Sequence, residues 1–396
     1  MRSVPHRMMS LCAAGAALVV AAVFAVAAPA QAAQLTAVSG FGSNPGNLAM
    51  YAYRPDGLPS GAPAVVLLHG CAQDATTYFT NSGWRTFADR WRFALILPQQ
   101  SNANNATSCF NWFESGDTAR GQGEAASIRA MVSYAVSSYG TAPSRVYVSG
   151  LSAGGAMSAA LLATYPDVFA AGSIVAGIPY RCAAGMVAAF SCMNPGVDKT
   201  PAQWGDLVRA AYPGYAGTRP RVAIWHGTAD YTVATANAGE SRDQWTNVLG
   251  VPATPTGTAS LPGGTVLERY GADQVRVYRV SGMGHGTPVD PGAAADQCGA
   301  AGAYFLDTIC SAYHDAVFFG LDTGGGPTTT PTTAPPTTPP PGPCVTASNY
   351  AHVAAGRAYH SLGYAYARGS DQRLGLYTVF HTAALRQTGP DHWVIC

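Results

Sequence analysis

One pentapeptide constrains the fold of this chain more than any other segment. Gly150-Leu151-Ser152-Ala153-Gly154 lies between a β-like run, 145–149, and a helix-like run, 156–165. A sharp turn from strand into helix lifts the central serine hydroxyl clear of its neighbours, and flanking glycines are needed because a Cβ there would clash with the turn. The segment therefore predicts a nucleophile elbow centred on Ser152.

The residues around the elbow alternate between strand-like and helix-like runs. Helical spacing predicts helices over 123–139 and 304–319, and short apolar runs predict strands at 64–68, 93–97, 222–225 and 275–280. This alternation is typical of a parallel sheet covered by helices on both faces. We predict an α/β fold of the α/β-hydrolase type over residues 34–322.

A serine nucleophile needs a base to take its proton and an acid to hold that base. In α/β-hydrolases the chain order is serine, acid, histidine. Asp230 follows the strand 222–225, and His285 follows the strand 275–280 in a loop of small residues. We predict Ser152, Asp230 and His285 as nucleophile, acid and base. Of the other histidines, His226 is interpreted as a structural residue of the Asp230 turn, and His314 as a packing or surface residue.

The oxyanion of an acyl-transfer intermediate needs backbone N–H donors. The donors expected for an elbow serine are the residue after it, Ala153, and a residue in the loop after an early strand, which here is Cys71. A disulfide from Cys71 to Cys109 would hold that loop and bring Trp112 beside it. The sequence leaves open whether Trp112 forms a wall of the substrate site or only a part of the core.

The N-terminus has the pattern of a secretory signal peptide over residues 1–33: basic residues, an apolar stretch and an Ala-Gln-Ala site. An uncleaved anchor is the alternative, because the apolar stretch approaches spanning length. Eight cysteines remain after position 33, an even number that suits an oxidising compartment. Proximity in sequence predicts the pairs Cys71–Cys109, Cys182–Cys192, Cys298–Cys310 and Cys344–Cys396. We therefore predict a secreted, extracellular protein.

A segment of Thr, Pro and Gly, 323–343, predicts a linker because it cannot bury apolar surface. It is followed by a short domain, 344–396, which we expect the Cys344–Cys396 disulfide to close. This domain carries seven aromatic residues, more than so small a core encloses. We expect some of them to be exposed, as in a domain that binds a polymer surface.

Charge and metal-ligand spacing exclude several classes of partner. The net charge is +1, with 22 Lys and Arg against 21 Asp and Glu, so no basic surface argues for nucleic acid. No His or Cys cluster has metal-ligand spacing and no calcium loop is present, so we expect neither metal nor cofactor. We expect a monomer, with no membrane association once the signal peptide is removed.

These motifs resemble those of extracellular poly(3-hydroxybutyrate) depolymerases, within a wider esterase family that includes secreted feruloyl and acetylxylan esterases. In the catalytic domain the resemblance rests on segments 68–71, 150–155, 226–230 and 282–285. Segments 347–353, 355–358, 364–370 and 374–377 resemble the short C-terminal substrate-binding domain of the depolymerases. That likeness implies polymer contacts at Ser348, Tyr350, Val353, Tyr366 and Ser370.

The leading hypothesis is a secreted serine hydrolase that degrades poly(3-hydroxybutyrate), or a related short-chain polyester, to hydroxyacid oligomers through an acyl-enzyme. Its partner would be the insoluble polymer surface, with the small domain holding the enzyme there. A feruloyl or acetylxylan esterase acting on plant cell wall is the second hypothesis. The third is a non-catalytic polymer-adhesion protein, against which the intact Ser152, Asp230 and His285 set argues.

Overall fold

Two units make up the chain in the computed structural model, Met1–Gly326 and Pro327–Cys396. The structure describes Met1 and residues 33–322, 344–361, 363–370, 372–389 and 392–396. Residues 2–32 of the predicted signal peptide, and the whole predicted linker at 323–343, lie outside the described residues. The domain bounds 34–322 and 344–396 therefore stay predictions.

A ten-stranded sheet forms the centre of the first unit, within residues 33–322, in the order β1-β2-β4-β3-β5-β6-β7-β10-β9-β8. Neighbouring strands from β4 to β10 in this order pair parallel, and the two strands at either edge pair antiparallel. The strands are β1 (Thr36–Val38), β2 (Ala49–Tyr53), β3 (Ala64–Leu68), β4 (Ala94–Gln99), β5 (Val146–Leu151), β6 (Phe169–Val175), β7 (Arg221–Gly227), β8 (Gly257–Leu261), β9 (Thr265–Tyr270) and β10 (Val275–Val280). A separate pair, β11 (Thr287–Val289) and β12 (Phe305–Asp307), is parallel.

Helices lie on both faces of this sheet. They are α1 (Ala75–Asn81), α2 (Trp84–Trp91), α3 (Ser115–Thr118), α4 (Gly123–Tyr139), α5 (Ala153–Thr164), α6 (Met186–Met193), α7 (Pro201–Ala211), α8 (Ala236–Leu249) and α9 (Ser311–Phe319). Every residue of β3 is buried because its side chains alternate between two cores. Val66 packs in the cluster that contains Leu161 of α5, and Val65 packs in the cluster that contains Phe87 of α2. A strand buried on both faces reads as a continuous apolar run, which is how β3 is recognised in the sequence.

The predicted α/β-hydrolase fold is confirmed, with one local error. The helix expected over 304–319 begins only at Ser311, and Phe305–Asp307 is a strand instead. Two contacts fix this boundary: Cys310 caps the helix by accepting from the Tyr313 N–H at 3.2 Å, and the Thr308 N–H donates to the Val289 carbonyl at 2.7 Å. The pairing of β12 with β11 therefore outweighs the helical pattern.

The second unit is a small β-rich domain with a core of small side chains. Its elements are β13 (Val345–Ser348), α10 (Asn349–Ala354), β14 (Ala358–Ser361), β15 (Tyr364–Ala367), β16 (Arg373–Leu376), β17 (Thr382–Gly389) and β18 (His392–Ile395). They form two three-stranded sheets, β13-β17-β18 and β14-β15-β16, as far as the described residues show. Ala358, Ala367 and Leu385 form the buried cluster, and Trp393 packs against it. A disulfide joins Cys344 to Cys396, which closes the domain near its two ends.

Candidate active site

Ser152 occupies a strained turn between β5 and α5. Its φ of 57° and ψ of −116° are unusual for a residue with a side chain, and strain of this kind clusters at functional sites. The close packing of the turn explains its glycines. A Cβ at Gly150 would lie 2.4 Å from the Gly154 carbonyl oxygen, and one at Gly154 would lie 2.3 Å from the Leu68 carbonyl oxygen. The turn holds the Ser152 side chain beside the carboxyl end of β3.

Asp230 and His285 meet at the carboxyl ends of two adjacent strands, β7 and β10. The Nδ1 atom of His285 lies 2.7 Å from Oδ2 of Asp230, and the other carboxylate oxygen accepts from the N–H groups of Thr232 and Val233, each at 2.9 Å. Burial raises the pKa of Asp230, but the hydrogen bond and charge of His285, with the Val233 N–H, outweigh it and leave that pKa below its ordinary value. The carboxylate is therefore ionised and able to hold the His285 ring.

Backbone contacts join the loops that carry the acid and the histidine. The Ala229 N–H donates to the Met283 carbonyl at 3.0 Å, and the Gly282 N–H donates to Oγ1 of Thr228 at 2.8 Å. A Cβ at Gly227 would lie 2.2 Å from the Met283 carbonyl oxygen, so the approach requires glycine there. The distance between the acid and the histidine is thus set by the backbone.

His226 lies beneath this pair and is buried. Its Nε2 atom is 2.9 Å from the Val233 carbonyl and 3.5 Å from Oδ2 of Asp230. Burial lowers its pKa, so the ring is neutral and donates to the carbonyl. These contacts place His226 as a support of the Asp230 turn.

The loop after β3 that carries Cys71 is held from several sides. The Ala72 N–H donates to the Thr107 carbonyl at 2.8 Å, and a disulfide joins Cys71 to Cys109. Buried His69 accepts from the Gln100 N–H on Nε2 at 3.1 Å, which leaves Nδ1 to donate to the Gly70 carbonyl at 2.8 Å. Cys71 and Ala153, the two predicted oxyanion donors, line one cavity together with Ser152.

Two cavities meet at Ser152. The larger, about 350 Å³, is walled largely by apolar side chains, and the smaller, about 140 Å³, contains His285. Cys71, Ser152 and Met193 line both. Trp112 is 8% exposed, packs edge-on to Phe113 with ring centres 5.4 Å apart, and forms part of the larger cavity's wall. The remaining apolar wall of the larger cavity includes Ile178, Met186, Ala189, Phe190 and Val233.

Two parts of the site were missed at the sequence level. Helix α6 supplies Met186, Phe190 and Met193, and the only signal for it is an uncharged stretch around Cys182 and Cys192. Tyr304 lines the smaller cavity, with its ring edge-on to His285 at 6.3 Å and a φ of 63°. The sequence predicts a helix for the segment that begins at Tyr304, so it gives no sign that this residue lines a cavity.

The described cysteines form four disulfides, Cys71–Cys109, Cys182–Cys192, Cys298–Cys310 and Cys344–Cys396. They are the pairs expected from sequence proximity. Each of the three in the first unit closes a loop that supplies lining residues to the cavities: Asn105 and Thr107 lie in the first, most of α6 in the second and Tyr304 in the third. The walls of the site are therefore covalently braced.

The five tail residues implied by the family resemblance have different settings. Ser348 caps α10 by accepting from the Ala351 N–H at 3.2 Å, Val353 packs against the small core, and Ser370 donates to the Trp393 carbonyl at 2.5 Å. Tyr366 is half-buried and stacks on Tyr359 across β14 and β15. Tyr350 is half-exposed and stacks on Tyr377, which in turn stacks on His360. Further exposed apolar side chains of the tail include Leu376, Val379 and Phe380.

No group of three or more His, Cys, Asp or Glu side chains in the described ranges is arranged to hold a metal ion. Within the same ranges, no helix is both long and apolar enough to cross a membrane.

An elbow serine at the carboxyl edge of a mostly parallel sheet defines the class of this protein as an α/β-hydrolase. The family model described as Esterase PHB depolymerase matches residues 47–265. The chain is 52% identical over 292 residues to poly(3-hydroxyalkanoate) depolymerase C of Paucimonas lemoignei, covering 72% of this chain and 70% of that one. The chain belongs to the Esterase PHB depolymerase family, and it is a carboxylic ester hydrolase.

Other relatives are esterases as well. Feruloyl esterase B of Talaromyces stipitatus is 37% identical over 283 residues, which cover 68% of this chain and 77% of that protein. Among solved structures, the acetyl xylan esterase from Aspergillus awamori superposes with a TM-score of 0.63 at 28% identity, covering 73% of this chain and 99% of that one.

Proposed function

We propose that this protein is a secreted serine hydrolase that cuts poly(3-hydroxybutyrate), or a related short-chain polyester, into hydroxyacid oligomers. The observation that carries the chemistry is the position of Ser152 where two cavities meet, with the Asp230–His285 pair at the smaller one. Identity of 52% to a poly(3-hydroxyalkanoate) depolymerase, against 37% to a feruloyl esterase, favours the polyester substrate.

In the proposed mechanism His285 takes the proton of the Ser152 hydroxyl as its oxygen attacks the ester carbonyl. Asp230 holds the ring so that Nδ1 donates to the carboxylate and Nε2 accepts the proton. The N–H groups of Cys71 and Ala153 stabilise the oxyanion. His285 then gives the proton to the departing alcohol oxygen, which leaves an acyl-enzyme. Water, deprotonated by His285, attacks the acyl carbonyl, releases the acid and restores the serine.

The cavities on both sides of Ser152 suit a chain that continues beyond the scissile bond. A cavity near 350 Å³ with apolar walls is of the size that ligand sites use, and it has room for several methyl and methylene groups. We assign Trp112 to that wall, and the smaller cavity to the part of the chain on the other side of the bond. A soluble single ester fills only a fraction of this space, whereas a polyester segment fills both cavities.

We assign the tail to polymer binding, with Tyr350 as its best-placed contact. The stacked rings of Tyr350, Tyr377 and His360, with exposed Phe380, offer flat apolar surface to a solid. The other four residues implied by the resemblance already make contacts within the tail. They would bind the polymer from the positions that those contacts fix; they are Ser348, Val353, Tyr366 and Ser370. Secretion is supported by four disulfides, which persist in oxidising compartments.

The test compares purified wild-type protein with its Ser152→Ala variant on a poly(3-hydroxybutyrate) emulsion and on methyl ferulate. We expect the wild type to clear the emulsion and release hydroxyacid oligomers, and the variant to do neither. Hydrolysis of methyl ferulate without clearing would instead assign the protein to plant-wall esters. Failure of a serine-directed fluorophosphonate to label the wild type would exclude an active serine and leave an adhesion role.

A further inference from the structure

Four exposed apolar side chains lie on two segments that also supply residues to the wall of the larger cavity, α6 and the loop after β7. Met186, Val187 and Phe190 of α6 are 55%, 88% and 66% exposed, and Tyr231, next to Asp230, is 86% exposed. Met186 and Phe190 also line the cavity beside Ser152. The Asn194 side chain, just after α6, donates to the Tyr231 carbonyl at 2.9 Å, which joins the two loops. We call these four residues the entrance rim.

Apart from buried Asp230, the segments around the entrance rim carry no charged side chain. Residues 182–197, which include α6, contain no Asp, Glu, Lys or Arg, and neither do 99–113 nor 231–239. All the charged residues of the chain, 22 Lys and Arg and 21 Asp and Glu, therefore lie outside these three segments. The rim side chains themselves are apolar apart from one tyrosine hydroxyl, and they carry no charge, so they suit a partner that is itself uncharged and apolar.

The exposed side chains are presented on a fixed frame. The inner face of α6 is buried through Ala189 and Cys192, and the Cys182–Cys192 disulfide ties the helix near its end to the segment before it. The Gly185 N–H donates to the Phe113 carbonyl at 2.8 Å, and the Ala234 N–H donates to the Met193 carbonyl at 2.7 Å. Little ordering is therefore needed when the rim meets a flat surface, which favours binding.

We infer that the entrance rim is a polymer-docking surface of the catalytic unit, distinct from the tail, which rests on the surface of a solid uncharged polyester around the cavity opening. This inference rests on the proposed function. The rim is continuous with the cavity that admits the chain, so docking would place a surface segment of the polymer directly over Ser152. The tail would raise the amount of enzyme on the polymer, and the rim would orient the site toward it.

The first experiment measures adsorption, with the full chain carrying Ser152→Ala so that the solid is not degraded. Val187→Asp is compared with Val266→Asp, because Val266 is also exposed, at 43%, but lies on β9 and lines neither cavity. We expect Val187→Asp to lower partition onto poly(3-hydroxybutyrate) granules at least threefold and Val266→Asp to change it less than 1.5-fold. Equal partition of the two variants would overturn the inference, and an equal loss of binding to insoluble xylan would overturn the polyester assignment.

The second experiment measures turnover with Ser152 intact. Val187→Asp should slow the release of oligomers from polyester film at least fivefold and leave kcat/KM for p-nitrophenyl butyrate within twofold, since Val187 lines neither cavity. A film rate within twofold of the wild type, or an equal loss on both substrates, would contradict docking by the rim. If the wild type hydrolyses the soluble ester but not the film, the proposed function fails, and the adsorption experiment still decides whether the rim binds polyester.

Discussion

The Nδ1 atom of His285 lies 2.7 Å from Oδ2 of Asp230, although the two residues are 55 positions apart in the chain. They meet because β7 and β10 are parallel neighbours in the sheet, and each residue follows the carboxyl end of its strand. The second carboxylate oxygen is held by the Thr232 and Val233 N–H groups, so the acid cannot turn away from the ring. The sheet therefore holds the carboxylate in position to accept a hydrogen bond from Nδ1 of the histidine.

Asp230→Asn should lower kcat for p-nitrophenyl butyrate by a factor of about 10³–10⁴ without changing the fold. An amide in this position favours the wrong tautomer of the His285 ring and cannot stabilise its protonated form. The matched control is Asp206→Asn on the exposed face of α7, where Asp206 pairs with Arg209 on the same helix. A stopped-flow or steady-state assay should show the control within twofold of wild type. Similar losses in both variants would contradict the assignment of Asp230 as the acid.

Much of the fold could be predicted because buried parallel strands leave a clear pattern. The expected strands at 64–68 and 275–280 coincide with β3 and β10, and the expected helix at 123–139 coincides with α4. The segment 304–310 could not be predicted, since its pairing with β11 is a long-range contact that outweighs local helical spacing. The antiparallel edge strands β8 and β9 were also missed, because their alternating, partly exposed pattern is weaker.

The candidate site also contains residues that the sequence predicts and residues that it does not. Ser152, Asp230 and His285 stand in short motifs directly after strands, so local sequence points to them. Tyr304 and the α6 side chains reach the cavities only through chain folding, and nothing in their own residue types indicates a substrate wall. Local sequence patterns therefore do not indicate the site residues that disulfide-closed loops bring to the cavities.

Removal of the Cys71–Cys109 disulfide by a Cys71→Ser and Cys109→Ser double substitution should impair catalysis as well as stability. The bond spans 38 residues, and loss of such a cross-link costs about 2–4 kcal/mol of unfolding free energy. It also frees the loop that presents the Cys71 N–H, so we expect kcat for p-nitrophenyl butyrate to fall about tenfold or more. The control removes Cys344–Cys396 by the same substitutions and should keep kcat within twofold. Equal kcat in both double variants would show that the Cys71 loop needs no brace.

The buried carboxyl of Glu124 should contribute a loss of stability as the pH rises from about 5 to 8. Burial, with the nearby charge of Asp117, raises the pKa of this carboxyl to about 8, although the Asn111 N–H and the Gln100 amide donate to it. The folded chain therefore holds a proton that the unfolded chain has released over this range, so each increase in pH favours unfolding, by up to about 1.4 kcal/mol per unit.

Glu124→Gln should remove that contribution, so that between pH 5 and 8 the free energy of unfolding gains relative to the wild type as the pH rises, because the variant has no proton to lose at this position. Urea unfolding midpoints between pH 5 and 8 measure the effect, with Glu114→Gln on the exposed start of α3 as the control. Asp315, whose pKa burial raises to about 7, contributes with the same sign in every variant and cancels in the comparison. Parallel pH profiles for wild type and Glu124→Gln would refute the role given to this carboxyl.

Ala189→Phe should shift the acyl-chain preference toward short esters. We assign the acyl chain to the larger cavity, which Ala189 lines from the buried inner face of α6, so a phenyl ring at this position would occupy space that a longer acyl chain needs. We expect kcat/KM for p-nitrophenyl octanoate to fall at least about tenfold relative to the acetate, since each methylene excluded from an apolar pocket costs about 1–3 kcal/mol. The control is Ala184→Phe, on the exposed part of the same disulfide loop and outside both cavities. Because the measured quantity is a ratio between two substrates, a general loss of folded protein leaves it unchanged. An unchanged ratio would therefore show that the acyl chain binds elsewhere than beside α6.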